Sequence, residues 1–275
     1  MTQANQSHHD TIIDQFSRQA IPFTQLPGHL DAIEMLVAMS NVTNKDHVLD
    51  VACGPGLVAC EFAKTAQHVT GIDLTQAMID QARLHQQELG LTNLSWQVGT
   101  ALPLPYADHS FSIVVTRYSF HHFLDPQAAL HEMIRVCQPG GRIVIADAAP
   151  PKENVDAYNQ LEKLRDPSHT RALALEEWQQ LFGQSGLKDL KRGHYTVEME
   201  LEKQLQASFP NLGDKEKIRV LFRDDVGKNQ LGMNTRQVGN EIHFSYPIAI
   251  FAGQKDYGEN AIPPTLSTTN KQSTP

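Results

Sequence analysis

Residues 48–57 read Val-Leu-Asp-Val-Ala-Cys-Gly-Pro-Gly-Leu, an apolar run that passes into a glycine loop and then into a helical pattern. Gly54 and Gly56 allow the backbone to turn sharply and to approach a ligand closely, because neither residue carries a Cβ. Together with Ala59 they also fit the G-x-G-x-x-A form of the dinucleotide fingerprint. The loop alone is therefore compatible with more than one kind of nucleoside ligand.

Strand-like and helix-like patterns alternate through the segment that contains this loop. Strands are predicted at 47–52, 68–73, 94–98, 111–116 and 142–147, and helices at 57–66, 75–89 and around 130–137. Strands that alternate with helices form a parallel sheet that is covered on both faces. We therefore predict an α/β domain over residues 46–257.

The segments on either side of this pattern predict further elements. Two amphipathic helices in residues 1–45 are expected to form a lid or a flank. Beyond Pro151, two helices precede two long strands at 187–199 and 241–251. The helical-looking residues between these strands, about 200–239, are too many for a hairpin turn and predict an insertion. Residues 258–275 are rich in Pro, Ser, Thr and Asn and are predicted to be disordered.

Charge and cysteine usage restrict the class of protein. The 275-residue chain has a formal net charge of −8, which disfavours a phosphate backbone as partner because the basic residues do not cluster. The three cysteines show no metal-ligand spacing and are typical of a reducing compartment, so we predict a cytoplasmic protein without a metal. The polar start and the lack of an apolar run of about 18 residues argue against secretion and against a membrane span.

Two acidic residues stand beside the glycine loop, each at the end of a predicted strand. Asp50 precedes Gly54 by four residues, and a carboxylate there favours a cationic ligand group over an anionic pyrophosphate. Asp73 ends the next strand and is suited to hydrogen bonds with two ribose hydroxyls, which dinucleotides and adenosylmethionine share. The pair therefore favours adenosylmethionine over a nicotinamide cofactor.

Five motifs occur in order, LDVACGPG at 49–56, GIDL at 71–74, ALPLP at 101–105, YSFHHF at 118–123 and QPGGR at 138–142. In this combination the chain resembles the class I S-adenosylmethionine-dependent methyltransferases, closest to the ubiquinone/menaquinone biosynthesis C-methyltransferase-like (methyltransferase type 11) group. The resemblance implies a Rossmann-like, seven-stranded, mostly parallel sheet with an antiparallel last strand and helices on both faces. The two long strands near the carboxyl end suit this topology.

The resemblance also implies a cofactor site for S-adenosyl-L-methionine, with S-adenosyl-L-homocysteine as the product. Asp50, Gly54 and Gly56 would cradle the methionine part, Asp73 and Leu74 the ribose, and Met78 the adenine. Arg117 would present its backbone to the cofactor, and Phe16 and Phe23 would close over it. The remaining expected contacts are Ala52, Thr100 and Ala101.

Two positions depart from the family pattern. Ala52 stands where a third glycine is usual, and we expect a slightly wider turn to absorb the change. Thr100 stands where an aspartate commonly accepts from the adenine amino group. A threonine hydroxyl can accept one such hydrogen bond without the assistance of a charge.

The methyl acceptor is expected beyond the carboxyl end of the fourth strand, where parallel sheets bind ligands. The loop there contains Tyr118, His121 and His122, and a histidine is suited to act as a general base. Alternatively, the two histidines start a helix and bond to backbone groups. Arg165 and His169, in a polar turn after the fifth strand, are predicted acceptor contacts, with a solvated surface turn as the alternative.

These features together predict in-line transfer of a methyl group to the O, S, C or N atom of a small-molecule acceptor. The sequence also allows two alternative functions, that of an NAD(P)-dependent oxidoreductase and that of a non-catalytic adenosylmethionine-binding protein. The insertion at 200–239 is predicted either to cap the pocket or to form the surface of a homodimer.

Overall fold

The computed structural model describes residues 3–24 and 32–257, with side chains at 5–21 and 32–257. Its elements in chain order are α1 (Gln3–Thr24), α2 (Ile33–Ser40), β1 (His47–Val51), α3 (Leu57–Ala63), β2 (His68–Asp73), α4 (Gln76–Glu88), β3 (Leu94–Val98), β4 (Phe111–Arg117), α5 (Pro126–Val136), β5 (Cys137–Ala148), α6 (Val155–Arg165), α7 (Leu175–Gly183), β6 (Lys188–Glu200), α8 (Leu201–Gln206), α9 (Asp214–Asp225), β7 (Arg236–Val238) and β8 (Glu241–Gln254). The predicted disorder of residues 258–275 lies outside the described residues.

One sheet organises the described residues, with strand order β3-β2-β1-β4-β5-β8-β6. β1 to β5 pair in parallel, whereas β8 runs antiparallel to both β5 and β6. The seven-stranded sheet with a reversed last strand is therefore confirmed. The short β7 pairs with β8 alone and adds an eighth strand that the sequence analysis did not predict. In this arrangement the carboxyl ends of the parallel strands meet at one edge of the sheet.

Side chains alternate between the two faces of the sheet and build two buried layers. Leu49 and Val51 of β1 belong to one layer, which includes side chains of α5 and α7. Val48 belongs to the other layer, which includes side chains of α2, α3, α6, α8 and α9. Each fully buried Val or Leu contributes about 1.5 to 3 kcal/mol through removal from water, so the two layers hold the strand ends in place.

The two N-terminal helices, predicted together as a lid or a flank, occupy different positions. α1 packs on α4 and reaches the strand-end edge of the sheet, as a lid would. α2 instead packs on α3 and β5 and forms part of the buried layer. Among the described residues, no helix is both long enough and apolar enough to cross a membrane.

The insertion between β6 and β8 contains α8, α9 and β7. α8 packs on β6 and β8, and α9 packs on α6. Gln204 and Ala207, in and just after α8, line a cavity at the strand-end edge of the sheet. One of the two roles predicted for the insertion, a cap over the pocket, requires such a position.

Gly56 begins α3 at a point where the loop packs closely on its neighbours. Its φ is +80°, and a Cβ there would lie 2.7 Å from the Trp96 ring and 2.9 Å from the Ala82 Cβ. A side chain at this position would therefore meet both backbone strain and steric overlap.

We predict that Gly56→Ala lowers the free energy of unfolding by about 2 to 4 kcal/mol, because the left-handed backbone and the contact with Trp96 both oppose a methyl group. Gly183→Ala is the control, since a Cβ there meets nothing within 4 Å. Its expected effect is neutral or stabilising by up to about 1 kcal/mol, from helix propensity. Urea unfolding measures both, and equal losses in the two variants would contradict the packing role of Gly56.

Candidate cofactor and acceptor site

A cavity of about 520 Å³ opens at the carboxyl ends of β1, β2 and β4, under α1. Its size is within the range of small-molecule sites. Fourteen of the seventeen residues predicted from sequence line it, namely Phe16, Asp50, Ala52, Gly54, Asp73, Leu74, Met78, Thr100, Ala101, Arg117, Tyr118, His121, His122 and Arg165. Gly56 packs behind the loop, His169 lies outside the lining, and the side chain of Phe23 is outside the described residues.

Asp50 is the most unusual charged group of this cavity. The residue is 1% exposed, and its Oδ2 has no hydrogen-bond partner among the described residues. Burial raises the pKa of its carboxyl group from 3.8 to about 8, and the nearby Arg117 guanidinium only partly opposes this shift. An unpartnered oxygen on a buried carboxyl group is costly, so this position is suited to a ligand that brings a cation or a donor.

Asp73 is held by the backbone on both sides of its carboxylate. Oδ2 accepts from the Gly54 amide at 2.9 Å, and Oδ1 accepts from the Thr75 amide at 2.9 Å. Burial raises the pKa of Asp73, and these two amides oppose the rise. A Cβ at Gly54 would meet nothing within 4 Å, so the loop leaves open space beside the two aspartates.

The two departures from the family pattern are resolved by local geometry. Ala52 has a φ of +52°, so the alanine adopts the left-handed conformation that favours glycine, in place of the wider turn expected. The Thr100 hydroxyl donates to the Leu102 carbonyl at 3.2 Å and accepts from the Leu102 amide at 3.0 Å. One of its two lone pairs is therefore already used by the turn.

Tyr118 and Arg117 form the end of β4 at the cavity. The Arg117 guanidinium carbon lies 4.7 Å from the centroid of the Tyr118 ring, and the Tyr118 hydroxyl is 2.7 Å from that of Tyr195. Burial, reinforced by the neighbouring Tyr195, raises the pKa of Tyr118 well above its ordinary value. The Tyr118 hydroxyl therefore stays protonated near neutral pH and is not suited to remove a proton.

His121 is paired with a carboxylate that the sequence analysis missed. Its Nδ1 donates to Oδ1 of Asp147 at 2.6 Å, and Asp147 also accepts from the Ala148 and Phe120 amides, each at 2.7 Å. Burial alone would lower the pKa of His121, but the Asp147 carboxylate reverses this and raises it. The available signal was an acid near the carboxyl end of β5, adjacent in the sheet to the β4 loop.

His122 has a different environment, although its ring centroid lies 4.3 Å from that of His121. Its Nδ1 donates to the Ser168 carbonyl at 3.1 Å. Burial and the neighbouring His121 lower the pKa of His122 to about 4, so the ring is neutral near neutral pH. Of the two histidines, His121 is therefore better suited to be a general base, and His122 matches the structural alternative considered for this loop.

The polar turn after α6 is buried, contrary to the surface alternative. Arg165 lines the cavity and donates through Nη2 to Glu162 Oε2 at 2.7 Å, while the Tyr246 hydroxyl donates to Glu162 Oε1 at 3.1 Å. His169 is 1% exposed, and its Nε2 is 2.7 Å from Asn159 Oδ1. The prediction of an acceptor contact at His169 is corrected, since the ring packs behind His121 and outside the lining.

One group of side chains in the described residues has ligand atoms close enough for a metal ion. Glu200, Glu241 and His243 bring one atom each within 4.8 Å of the others, where β6 pairs with β8. The three residues are half-buried or exposed, Glu200 is paired with Lys203, and none of them lines the cavity. This grouping is therefore separate from the site described above.

A reversed strand beside β5, and a glycine loop between two strand-end carboxylates, define a Rossmann-like nucleoside-binding domain. Residues 49–145 match a family described as a methyltransferase domain. The Bacillus subtilis protein YcgJ, an uncharacterized methyltransferase, is 34% identical over 170 residues, which cover 60% of this chain and 67% of YcgJ. Its crystal structure matches with a TM-score of 0.76 at 28% identity and covers 84% of this chain and 100% of that one. The chain belongs to the class I S-adenosylmethionine-dependent methyltransferases.

Two further relatives match shorter segments. The uncharacterized protein YafE of Escherichia coli is 39% identical over 127 residues, 46% of this chain and 61% of YafE. The ubiquinone/menaquinone biosynthesis C-methyltransferase UbiE of Roseobacter denitrificans is 35% identical over 103 residues, 36% of this chain and 41% of UbiE. The chain thus matches less than two thirds of either protein.

We predict that Asp50→Asn stabilises the ligand-free protein, and that the gain grows with pH. Between about pH 4 and pH 8 the folded state holds a proton on Asp50 that the unfolded state has lost, so the free energy of unfolding falls as pH rises. Asparagine removes this loss, and the difference from wild type should level off above about pH 8.

Urea unfolding at a series of pH values measures this difference. Asp80→Asn, at an exposed position on α4, is the control and should give a difference that changes little with pH. A difference for Asp50→Asn that is constant between about pH 5 and pH 8 would show that Asp50 is ionised in the ligand-free protein.

Proposed function

We propose that this protein transfers the methyl group of S-adenosylmethionine to a small-molecule acceptor and releases S-adenosylhomocysteine. One observation carries the proposal. A single cavity has the Asp50 carboxyl group, whose Oδ2 lacks a partner, and the amide-held carboxylate of Asp73 on one wall, and His121 oriented by Asp147 on another. The first pair is suited to a cationic nucleoside, and the second is suited to remove a proton from an acceptor.

The residues present fit the cofactor. Asp50 would bind the positively charged amino group of the cofactor, and Gly54 leaves room for its methionine part. Asp73 would accept hydrogen bonds from the ribose hydroxyls. Apolar and small side chains would hold the adenosine, namely Leu74, Met78 and Ala101. When bound, S-adenosylmethionine supplies a methyl group already activated by its sulfonium.

The two alternatives from sequence are disfavoured by the same contacts. A dinucleotide would place a pyrophosphate near the glycine loop, where its negative charge would oppose the ionisation of Asp50, whereas a cationic amino group would favour it. A binding protein without catalysis gains nothing from a histidine that lines the ligand cavity and is paired with a buried carboxylate. The His121–Asp147 pair therefore favours an enzyme over a non-catalytic binding protein.

The chain's residues would act mainly by orientation. Because Nδ1 of His121 is bonded to Asp147, its Nε2 is the atom available to accept a proton from the acceptor. Two residues of α1 contact His122. The ring centroids of Phe16 and His122 lie 5.1 Å apart, and Nε2 of His8 donates to the His122 carbonyl at 2.7 Å. These contacts would exclude water while the two ligands are held in line.

The acceptor is proposed to be a small molecule with an O, S, C or N nucleophile. The net charge of −8 opposes binding to nucleic acid, and UbiE, named as a C-methyltransferase of quinone biosynthesis, is consistent with a small acceptor. All three cysteines are buried and free, in line with the cytoplasmic location proposed from sequence.

We predict that Asp73→Asn weakens S-adenosylhomocysteine binding by at least about ten-fold, because a charge-assisted hydrogen bond to the ribose is worth about 1.5 to 3 kcal/mol. Asparagine keeps one oxygen to accept from the loop amides, which limits the structural damage. Titration calorimetry measures the affinity, and Asp80→Asn is the control. Unchanged affinity in the Asp73 variant would count against the cofactor assignment.

We also predict that Asp147→Asn lowers the pKa of His121, since the carboxylate is what raises it against burial. An NMR titration of the histidine ring protons measures this without an acceptor. A His121 pKa that does not respond to the Asp147 substitution would refute the pairing in solution.

In a turnover assay with an identified acceptor, His121→Gln should lose at least about 100-fold in kcat, with S-adenosylhomocysteine affinity preserved.

A further inference from the structure

The acceptor half of the cavity is the wall formed by α1, α6, β6, α8 and β8. Its buried charged groups already have hydrogen-bond partners. The Arg165 guanidinium donates to Glu162 through Nη2 at 2.7 Å and through Nε at 2.9 Å. Asp166, just after α6, accepts from the Ser168 amide at 2.8 Å and from its hydroxyl at 2.6 Å. An ionic acceptor would therefore have to disrupt a buried pair in order to gain a partner of its own.

Two buried amides in this wall are in the opposite situation. Gln19 of α1 is 4% exposed and Gln204 of α8 is 7% exposed, and both line the cavity. Nε2 of Gln19 and Oε1 of Gln204 have no hydrogen-bond partner among the described residues. Neither atom is accessible to a water molecule, although both residues line the cavity. Unpaired buried polar atoms destabilise a protein, so these two side chains favour a ligand toward which they can turn to form the missing hydrogen bonds.

The surroundings of the two amides are apolar. Ile12 and Phe16 lie on the same face of α1 as Gln19, and β6 and β8 contribute Val197, Met199 and Ile248. Such walls bind the hydrocarbon body of a ligand by removing it from water. The half of the cavity near Asp50 and Asp73 differs, because the unpartnered atom there is a carboxyl oxygen of Asp50.

We propose that Gln19 and Gln204 bind the polar group of an uncharged, mainly apolar methyl acceptor, Gln19 donating to that group and Gln204 accepting from it. This inference rests on the proposed function and specifies its acceptor. A hydroxyl or a carboxamide can accept and donate at the same time. In these amide orientations a carboxylate cannot donate to Oε1 of Gln204, and an ammonium cannot accept from Nε2 of Gln19.

The first test uses the full chain without ligands. Gln204→Leu removes the unpaired oxygen with little change in volume, and its Tm should rise by about 2 to 4 °C. Gln206→Leu, at an exposed position of the same helix, is the matched control and should leave the Tm unchanged within about 1 °C. A fall in Tm for Gln204→Leu that exceeds the control would show that the Gln204 amide is a structural bond, and would overturn the proposal.

The second test is calorimetric titration of the protein saturated with S-adenosylhomocysteine. Cinnamyl alcohol, cinnamate and cinnamylammonium have similar shapes and differ in charge. The alcohol should bind at least about ten-fold more tightly than either ion, and Gln204→Leu should weaken the alcohol by about five-fold or more. Gln206→Leu should bind the alcohol as the wild type does.

Three results would overturn the inference, namely tighter binding of an ion, alcohol affinity that Gln204→Leu leaves unchanged, and no alcohol binding at millimolar concentration. The affinity for S-adenosylhomocysteine separates this inference from the proposed function. If the wild type binds S-adenosylhomocysteine and any of these results is found, the acceptor assignment alone fails. If the wild type does not bind S-adenosylhomocysteine, the proposed function itself fails.

Discussion

A buried carboxyl group with one unpartnered oxygen is the constraint on which the site depends. Asp50 stands near the end of β1, opposite Gly71 of β2 and Val115 of β4, so the sheet fixes its position from both sides. The same packing that holds it there also keeps water away and raises its pKa. The cationic amino group of the proposed cofactor would recover the cost of this arrangement, because it would give the buried oxygen a partner.

The sheet also explains why the pKa values of two adjacent histidines, His121 and His122, shift in opposite directions. Arg117 of β4 pairs with Ala146 of β5, which brings Asp147 next to the loop that follows β4. His121 therefore meets a carboxylate, whereas His122 points to the Ser168 carbonyl in the turn after α6. The opposite pKa shifts of the two rings follow from these partners, because burial acts in the same direction on both.

Local patterns were sufficient to predict the βα core and most of the predicted site residues that line the cavity. The glycine loop, Asp50 and Asp73 are recognisable because residue type and position at a strand end carry the information. Asp147, Gln19 and Gln204 were missed because their roles come from contacts between distant segments. His169 was misplaced because a polar turn beside a proline is typical of a surface, whereas here Asn159 and the ring of His121 bury it.

α1 links the cover of the cavity to the residues beneath it. Its Gln19 faces the cavity, while His8 and Phe16 contact His122, the residue next to the proposed base. The Thr170 amide and hydroxyl both donate to the His121 carbonyl, so the same loop is also fastened to the turn after α6. A ligand group that satisfies Gln19 would stabilise α1 in the position from which it holds this loop. Under the proposed acceptor assignment, binding at Gln19 would therefore also favour the position of the loop that carries His121.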